Sequence, residues 1–261
     1  MPSAKEYVLG LASRGRYHFT TDEIQVALGT SMPAVRGSLR RLERQGEIAS
    51  PYRGFHVIVS PEYMRLGCLP PEQFIPQLMD HLKLYYYVAL LSAAELHGAA
   101  HQRPQRFQVM LAKNRRSILC GKVEVDFIAR KDLASTPTVG MNTPRGSMSV
   151  ATPAATALEL MGYADQCGGL DIVAGVVSEL AESIEPQKLV EAAKLCPVVW
   201  VQRLGYLLDL TEHPDLSEAI VEQVRERAKA YAPLVRAKSL KNTKRNNKWK
   251  LMLNLKVELE S

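Results

Sequence analysis

The apolar positions of the first 58 residues follow helical spacing and then strand spacing. They predict a helix over residues 3–14, a short second helix over 22–28 and a third over 32–46. Gly29, which follows the second helix, suits a left-handed C-cap, and the third helix ends at Gly46. The run EIASPYRGFHVIVS then divides into two strand-like halves around a turn. This order of elements predicts a winged helix-turn-helix over residues 1–60.

The third predicted helix separates its apolar and cationic side chains. Val35, Leu39 and Leu42 fall within about 60° of one another when successive residues turn by about 100°. Arginines spaced four residues apart occupy another face, and they are Arg36, Arg40 and Arg44. Because crowded guanidinium groups repel one another, this face favours an anionic partner such as the DNA backbone.

A recognition helix places its amino-terminal residues in the major groove of double-stranded DNA. The residues expected to contact DNA are Ser31, Pro33, Ala34, Arg36, Gly37, Arg40, Arg41, Arg44, Tyr52 and Arg53. Within this set, Arg41, Arg44 and Arg53 are assigned to phosphates. Ser31 is expected to cap the helix, and Pro33 to lie in its first turn. The alternative is a winged helix used for protein–protein contact, against which the arginine face argues.

The rest of the chain changes from strand-like to helical patterns. Residues 61–80 are predicted to form a proline-containing linker, and 81–261 a second domain. Its first half is expected to hold a helix and then strands, at 82–100, 106–114, 122–132 and 144–153. Five helices are expected to follow, at 155–165, 170–183, 186–196, 198–211 and 215–228. The predicted class is α+β: a winged helix-turn-helix, then a mixed α/β and finally helical domain.

Positive charge is concentrated at both ends of the chain. Residues 1–58 hold eight basic and five acidic residues, 59–235 hold 17 and 20, and 236–261 hold eight and two. Basic ends indicate a polyanionic partner, usually nucleic acid. A second basic surface is predicted at Lys241, Lys244, Arg245, Lys248 and Lys250. A solvated tail, or a tail that Trp249 anchors on the domain, remains an equal alternative.

Several functional classes find no support in the sequence. No apolar run reaches the roughly 18–20 residues that span a bilayer, and the first residues do not form a signal peptide, so we expect a cytoplasmic protein. The four cysteines lie far apart and are expected to be buried free thiols. His97 and His101 are expected to be a polar pair at a helix end. We therefore expect no metal, no cofactor and no catalytic set.

One enzymatic alternative stays open. Lys122, Glu124 and Asp126 alternate along a predicted strand, as the carboxylates and lysine of a metal-dependent DNA nuclease do. A half-exposed strand gives the same pattern and is the favoured interpretation.

The whole chain resembles the AbiEi-type antitoxins of bacterial type IV toxin–antitoxin, or abortive infection, systems. The segments that carry this resemblance are TTDEIQVALGTSMPAVRGSLRRLERQGEI, YYYVALLSAAELHGAAHQRPQRFQVML, SMSVATPAATALELM, VQRLGYLLDL and NTKRNNKWKLMLNL. Their shared order and spacing make the resemblance specific, and the second segment contributes most to it.

The resemblance implies a repressor of its own operon that binds inverted repeats in the promoter. It also implies neutralisation of a nucleotidyltransferase-like toxin without a stable complex between the two proteins. DNA reading would then fall on Arg36, Arg40, Arg41, Arg44 and Arg53, with the carboxyl-terminal basic patch as a second contact. We expect a monomer in solution that pairs on DNA. A free-standing transcription factor with a sensing carboxyl-terminal domain is the other alternative.

Overall fold

A computed structural model of the chain describes residues 2–99 and 104–258. Over these ranges the protein is mixed α/β. The helices are α1 Ala4–Ala12, α2 Thr21–Leu28, α3 Met32–Arg44, α4 Ile75–Leu82, α5 Leu90–Leu96, α6 Pro153–Gly162, α7 Leu170–Ala181, α8 Pro186–Lys194, α9 Val198–Leu210 and α10 Pro214–Arg227. The strands are β1 His18–Thr20, β2 Ile48–Tyr52, β3 Phe55–Ile58, β4 Tyr87–Val88, β5 Phe107–Leu111, β6 Ile118–Cys120, β7 Val123–Ala129, β8 Thr138–Thr143, β9 Gly146–Ala151, β10 Ala232–Pro233, β11 Lys244–Asn246 and β12 Leu251–Leu253. None of these helices is both long enough and apolar enough to cross a membrane.

The chain forms two compact units, each built from separated segments. Unit 1 comprises Met1–Tyr86, Gln105–Arg130 and Gly140–Ser149. Unit 2 comprises Tyr87–Pro104, Lys131–Val139 and Val150–Ser261. The predicted domains, with bounds at residues 60 and 80, are instead consecutive stretches of the chain. These bounds stay a prediction.

The amino-terminal part of unit 1 packs three helices against a small antiparallel sheet. The strand order is β1–β3–β2, with His18 opposite Val57 and Ile48 opposite Ile58. Capping boxes begin α1 and α2: the hydroxyls of Ser3 and Thr20 accept from the backbone N–H of Glu6 and Glu23, and the glutamate carboxylates accept from the backbone N–H of Ser3 and Thr20. The core residues are Val8, Leu11, Phe19, Ile24, Leu28, Val35, Leu39, Leu42, Ile48 and Ile58. The predicted helices and hairpin are confirmed, whereas β1 had not been predicted.

The segment expected to be a linker holds regular structure. Residues 61–80 contain two short 3₁₀ turns and most of α4. Phe74, Leu78 and Met79 in this stretch are almost completely buried. Prolines suit the first turns of such helices, because no intrahelical partner is lost there. The prolines therefore start short helices here.

The remaining strands of unit 1 form a mixed arrangement. Strand β5 pairs in parallel with β7, and β6 pairs antiparallel with β7. The side chains of β7 alternate between buried and part-exposed over Val123–Phe127, as predicted. A hairpin tip also belongs to this unit: the Arg145 guanidinium lies 3.5 Å over the Tyr17 ring. Strands β6 and β8 had not been predicted.

The helix predicted over residues 82–100 is wrong. The Lys83 backbone takes a left-handed φ of 54° and ends α4, and the short strand β4 follows before α5 begins at Leu90. The aromatic run that precedes β4 favours extended backbone, which explains the break. In unit 2, Val88 of β4 pairs in parallel with Val150 of β9.

The second half of unit 2 is helical, and the five predicted helices are confirmed within a few residues of their bounds. The final residues return to this unit as a small sheet in the order β10–β12–β11. Trp249 is fully buried, with its ring against Gly205 of α9. Its Nε1–H donates to the Asp209 carboxylate at 2.6 Å. The tail is thus anchored on its unit, the outcome that the sequence left open.

Candidate nucleic-acid interface

Helix α3 separates a buried face from a cationic face. Val35, Leu39 and Leu42 point into the core. The residues on the opposite arc are exposed, and they include Arg36, Gly37, Arg40, Arg41 and Arg44. Among the residues that the structure describes, Arg36, Arg40 and Arg44 make no ion pair or hydrogen bond. Their charge is therefore available to an external anion.

The first turn of α3 is open to solvent. Ser31 has extended backbone at the N-cap position, but its side chain makes no capping hydrogen bond. The predicted N-cap position of Ser31 is confirmed, but the capping hydrogen bond is not formed and the residue is exposed. Pro33 lies in the first turn as predicted. With the neighbouring Ala34 also exposed, the amino end of α3 presents its backbone N–H groups without a side-chain cap.

Arg41 occupies a separate flank of α3. It lines an open concavity together with Ser38, with Gln45 and with the start of α1, including Lys5. The Arg41 guanidinium donates a hydrogen bond of 3.3 Å to the Ser38 hydroxyl. The arginine thus extends the cationic surface toward the amino terminus rather than along the row of Arg36, Arg40 and Arg44.

The hairpin of β2 and β3 presents one free cation at its turn. Arg53 is exposed, and within the described ranges it makes no ion pair or hydrogen bond. Its neighbour Tyr52 is half-buried, and its hydroxyl accepts a 3.0 Å hydrogen bond from the Arg115 guanidinium. Of the two predicted hairpin contacts, only Arg53 extends freely into solvent.

A basic loop beside the hairpin had not been predicted from the sequence. The Arg115 bond to Tyr52 brings the β5–β6 loop, residues 112–117, next to β2. Two further cations of this loop, Lys113 and Arg116, are exposed. The cluster AKNRRS was visible in the sequence, but only the fold brings it next to the hairpin.

A chain of hydrogen bonds ties α3 to the hairpin and to α2. The Ser50 hydroxyl donates to the Glu43 carboxylate. The same hydroxyl lies 2.7 Å from Nδ1 of His56, and Nε2 of His56 lies 2.9 Å from the Thr21 hydroxyl. Burial lowers the pKa of His56 below its ordinary value, against the opposing effect of the Glu43 carboxylate. These exposed and part-buried polar contacts connect the hairpin to α3 and to α2.

The predicted second basic surface has two cations held by polar contacts and three that are exposed. Lys248 pairs with Asp209 at 2.9 Å and with Glu218 at 2.7 Å. Lys250 donates a 2.6 Å bond to the Ala228 carbonyl. The three other members of the set are exposed, and they are Lys241, Lys244 and Arg245. Lys248 and Lys250 are therefore held by their own unit.

The carboxylates of the nuclease alternative are neutralised by an arginine. Arg106 lies 3.1 Å from the Glu124 carboxylate and 3.3 Å from that of Asp126. Ser117 donates a further 2.8 Å bond to Asp126. Over residues 2–99 and 104–258, no group of three His, Cys, Asp or Glu side chains is placed to hold a metal ion. His97 bonds the Ala151 carbonyl at 2.7 Å, whereas His101 lies outside the described residues.

The fold and this surface define a mixed α/β protein in which α3 presents arginines that pair with no residue of the described ranges. Residues 87–210 match the family described as the AbiEi antitoxin C-terminal domain. Over this segment the resemblance to AbiEi-type antitoxins is confirmed. A comparison with curated proteins finds no match.

Two solved structures are similar to the chain to different degrees. The RV2827C protein from Mycobacterium tuberculosis has a TM-score of 0.71 and 18% identity, over 96% of this chain and 91% of its own. At this identity the likeness concerns the fold alone. An antigenic nucleotidyltransferase-like protein from Paracoccidioides brasiliensis has a TM-score of 0.38 and 12% identity, over 57% of this chain and 89% of its own.

Proposed function

We propose that the protein is the antitoxin and autorepressor of a type IV toxin–antitoxin operon, and that residues 1–60 are a winged helix-turn-helix that binds double-stranded DNA. The observation that carries DNA binding is the exposed row of Arg36, Arg40 and Arg44, which no described carboxylate neutralises. Three like charges on one helix face repel one another, and phosphates of a duplex would offset that repulsion.

In this proposal α3 enters the major groove with its first turns. Arg36 and Arg40 are long enough to reach the base edges, where arginine makes bidentate bonds to guanine. Arg41 and Arg44 bind phosphates on the flanks, and Arg53 binds the backbone from the hairpin. Each assignment follows from the exposed position of that residue on α3 or at the hairpin turn.

The footprint of the protein extends beyond the predicted residues. The exposed cations Lys113 and Arg116 belong to the loop that Arg115 attaches to the hairpin. A duplex that contacts Arg53 passes close to this loop, so the loop adds phosphate contacts. These contacts raise affinity without adding sequence preference, because phosphates are common to all sequences.

The operator is an inverted repeat in the promoter of the protein's own operon. A two-fold repeat calls for two protein copies, and we propose a monomer that pairs on DNA. The exposed Lys241, Lys244 and Arg245 of unit 2 supply a second, weaker contact to DNA.

Toxin neutralisation is assigned to the region that includes the AbiEi segment, residues 87–210. We propose that the target is a nucleotidyltransferase-like toxin encoded beside this protein. Neutralisation occurs without a stable complex and without a catalytic step in this chain. The Arg106 pairing of the strand carboxylates favours this non-enzymatic function over the nuclease alternative.

Gel-shift titration with the protein's own upstream DNA tests the DNA-binding part. We expect retardation of that fragment at moderate salt, and weaker retardation of a shuffled fragment of the same composition. Equal binding to both fragments would mean that the protein binds DNA without sequence preference, which would contradict operator recognition. Binding to neither would refute the proposal for residues 1–60.

Co-expression with the adjacent toxin tests the second part. The full chain should restore growth, and a double Arg36→Ala/Arg40→Ala variant should still restore growth while it loses repression of a promoter reporter. Tagged antitoxin should not retain the toxin through washing. A stable complex would contradict the type IV assignment, and a neighbouring gene that encodes no such toxin would favour a free-standing transcription factor.

A further inference from the structure

Two short segments of unit 1, residues 66–68 and 120–122, lie beside each other near the surface. The backbone N–H of Lys122 donates to the Leu66 carbonyl at 2.8 Å. One residue further along each segment, a Cβ on Gly67 would lie 3.1 Å from the Cα of Gly121. Gly67 and Gly121 both have left-handed backbone, with φ values of 73° and 59°, and the absence of side chains lets the two turns approach this closely.

Cys68 follows Gly67 and Cys120 precedes Gly121, so the two cysteines flank this close contact and a hydrogen bond joins their thiols. A disulfide needs Cβ atoms about 3.5–4.5 Å apart, and two thiols that already share a hydrogen bond need only a small shift to reach that distance. Cys68 is buried and Cys120 is part-exposed, and both are free thiols. An oxidant therefore reaches Cys120 first.

The two thiols differ in acidity. A hydrogen bond from the Cys68 thiol lowers the pKa of Cys120, and a second bond from the Ser50 backbone N–H acts in the same direction against burial. That thiol contact and burial together raise the pKa of Cys68. Cys120 is thus the thiol with more thiolate character, the form that attacks peroxides.

We propose that Cys68 and Cys120 form a reversible intramolecular disulfide when a hydroperoxide oxidises the protein. The Cys120 thiolate attacks the O–O bond, takes one oxygen as a sulfenic acid and releases water or an alcohol. The Cys68 sulfur then attacks the Cys120 sulfur. The S–S bond forms, the S–O bond breaks, and the hydroxyl leaves with the Cys68 proton as water. The two thiols supply the two electrons that reduce the peroxide, and an external thiol reverses the step.

The site adjoins the hairpin. Strand β2 contains Ser50, whose backbone N–H bonds the Cys120 sulfur. A disulfide sulfur is a weaker acceptor than a thiolate, so we expect faster amide exchange at Ser50 after oxidation. Formation of the disulfide requires no DNA, so its test is independent of the proposed DNA binding.

Peptide mapping of the full chain tests the disulfide directly. Reduced protein is exposed to hydrogen peroxide, blocked with N-ethylmaleimide, digested without reductant and analysed by mass spectrometry. We expect a peptide that links Cys68 to Cys120 within one chain, loss of two maleimide adducts, and recovery of both after dithiothreitol. Persistence of both free thiols, a link between two chains, or direct conversion of Cys120 to sulfinic acid would overturn the proposal.

Variants identify the attacking thiol. In Cys68→Ala, dimedone should trap a sulfenic acid at Cys120, whereas Cys120→Ala should lose the oxidation at both positions. The double variant Cys167→Ala/Cys196→Ala, altered only in unit 2, should still form the link. If Cys68→Ala does not fold, the wild-type peptide map and the Cys120→Ala variant decide the question.

Discussion

The Nδ1 atom of His56 lies 2.7 Å from the Oγ atom of Ser50, and this contact fixes the tautomer of the histidine. The Ser50 hydroxyl gives its only proton to Glu43, so its oxygen accepts from Nδ1–H of His56. Nε2 then accepts from the Thr21 hydroxyl. The three contacts are all satisfied when the imidazole is neutral, which agrees with its lowered pKa.

The first prediction concerns pH. Burial lowers the folded-state pKa of His56 below its ordinary value of 6.5, so below that pH the unfolded state binds a proton that the folded state resists. The free energy of unfolding should therefore be highest above pH 6.5 and should decline as the pH falls through it. One such group contributes at most about 1.4 kcal/mol per pH unit. Urea unfolding between pH 8 and 5 (about three units) measures the slope.

The variant His56→Asn separates the contribution of His56 to this pH dependence from that of the other titratable groups. Its amide can still donate to Ser50, but it does not titrate, so the slope should become smaller. His18 is a second histidine whose pKa burial lowers, and it should account for part of the slope that remains. An unchanged slope in His56→Asn would show that His56 does not control the acid sensitivity.

The second prediction concerns Arg40. Its exposed guanidinium on α3 has no described protein partner, so Arg40→Ala should leave the fold intact. Removal of one base contact costs about 1–3 kcal/mol, or roughly a 5- to 150-fold increase in the operator Kd. Arg225→Ala, which removes an exposed arginine from α10 in unit 2, is the matched control. Equal affinity of the two variants would remove Arg40 from the interface.

The third prediction concerns the basic loop beside the hairpin. Arg116→Ala should weaken binding to the operator and to unrelated DNA by the same factor, because the exposed side chain is assigned to phosphate. The slope of log K against log salt should fall by about 0.9, because the variant neutralises one phosphate fewer. Fluorescence anisotropy at several salt concentrations measures both quantities. A weakening restricted to the operator would instead assign Arg116 to base recognition.

The fourth prediction concerns the anchored tail. A Cβ on Gly205 would overlap the ring of Trp249, which is fully buried. Gly205→Ala should therefore lower the free energy of unfolding by about 1–3 kcal/mol, the usual cost of overpacking. Gly175 of α7 has open space around its Cα, so Gly175→Ala should raise stability by about 0.5–1 kcal/mol. Denaturant unfolding followed by tryptophan fluorescence compares the two variants.

The sequence predicted those elements whose signals are local. Helix α3 carries its own amphipathic pattern and a proline in the first turn, and α7 to α10 show the same helical periodicity. The helix expected over residues 82–100 failed because the aromatic residues before β4 favour extended backbone and interrupt the helical pattern. Short strands such as β1 carry too few residues to show alternation.

The candidate site was likewise only partly predictable. Spacing alone placed Arg36, Arg40 and Arg44 on one exposed face. Spacing gave no information on Tyr52, which is bonded to Arg115 from a segment 63 residues away. Nor could it show that Lys248 is paired with two carboxylates of the helical part of unit 2. Contacts between distant segments decide which cations remain free.

The fifth prediction separates stability from DNA binding at Gly37. This exposed glycine lies inside α3, and a Cβ on it would meet nothing within 4 Å. Nothing in the described fold requires glycine there, although glycine costs a helix about 0.5–1 kcal/mol relative to alanine. Gly37→Ala should therefore stabilise the protein by that amount. If DNA approaches this face closely, the same change should raise the operator Kd.

Gly175→Ala provides the control for this experiment, because it also adds a methyl group to an exposed helical glycine with open space. Both variants should unfold at higher denaturant concentration than the wild type, but only Gly37→Ala should bind the operator more weakly. An operator Kd for Gly37→Ala equal to that of Gly175→Ala would mean that DNA does not approach Gly37. The docking of α3 in the major groove would then need a different face of the helix.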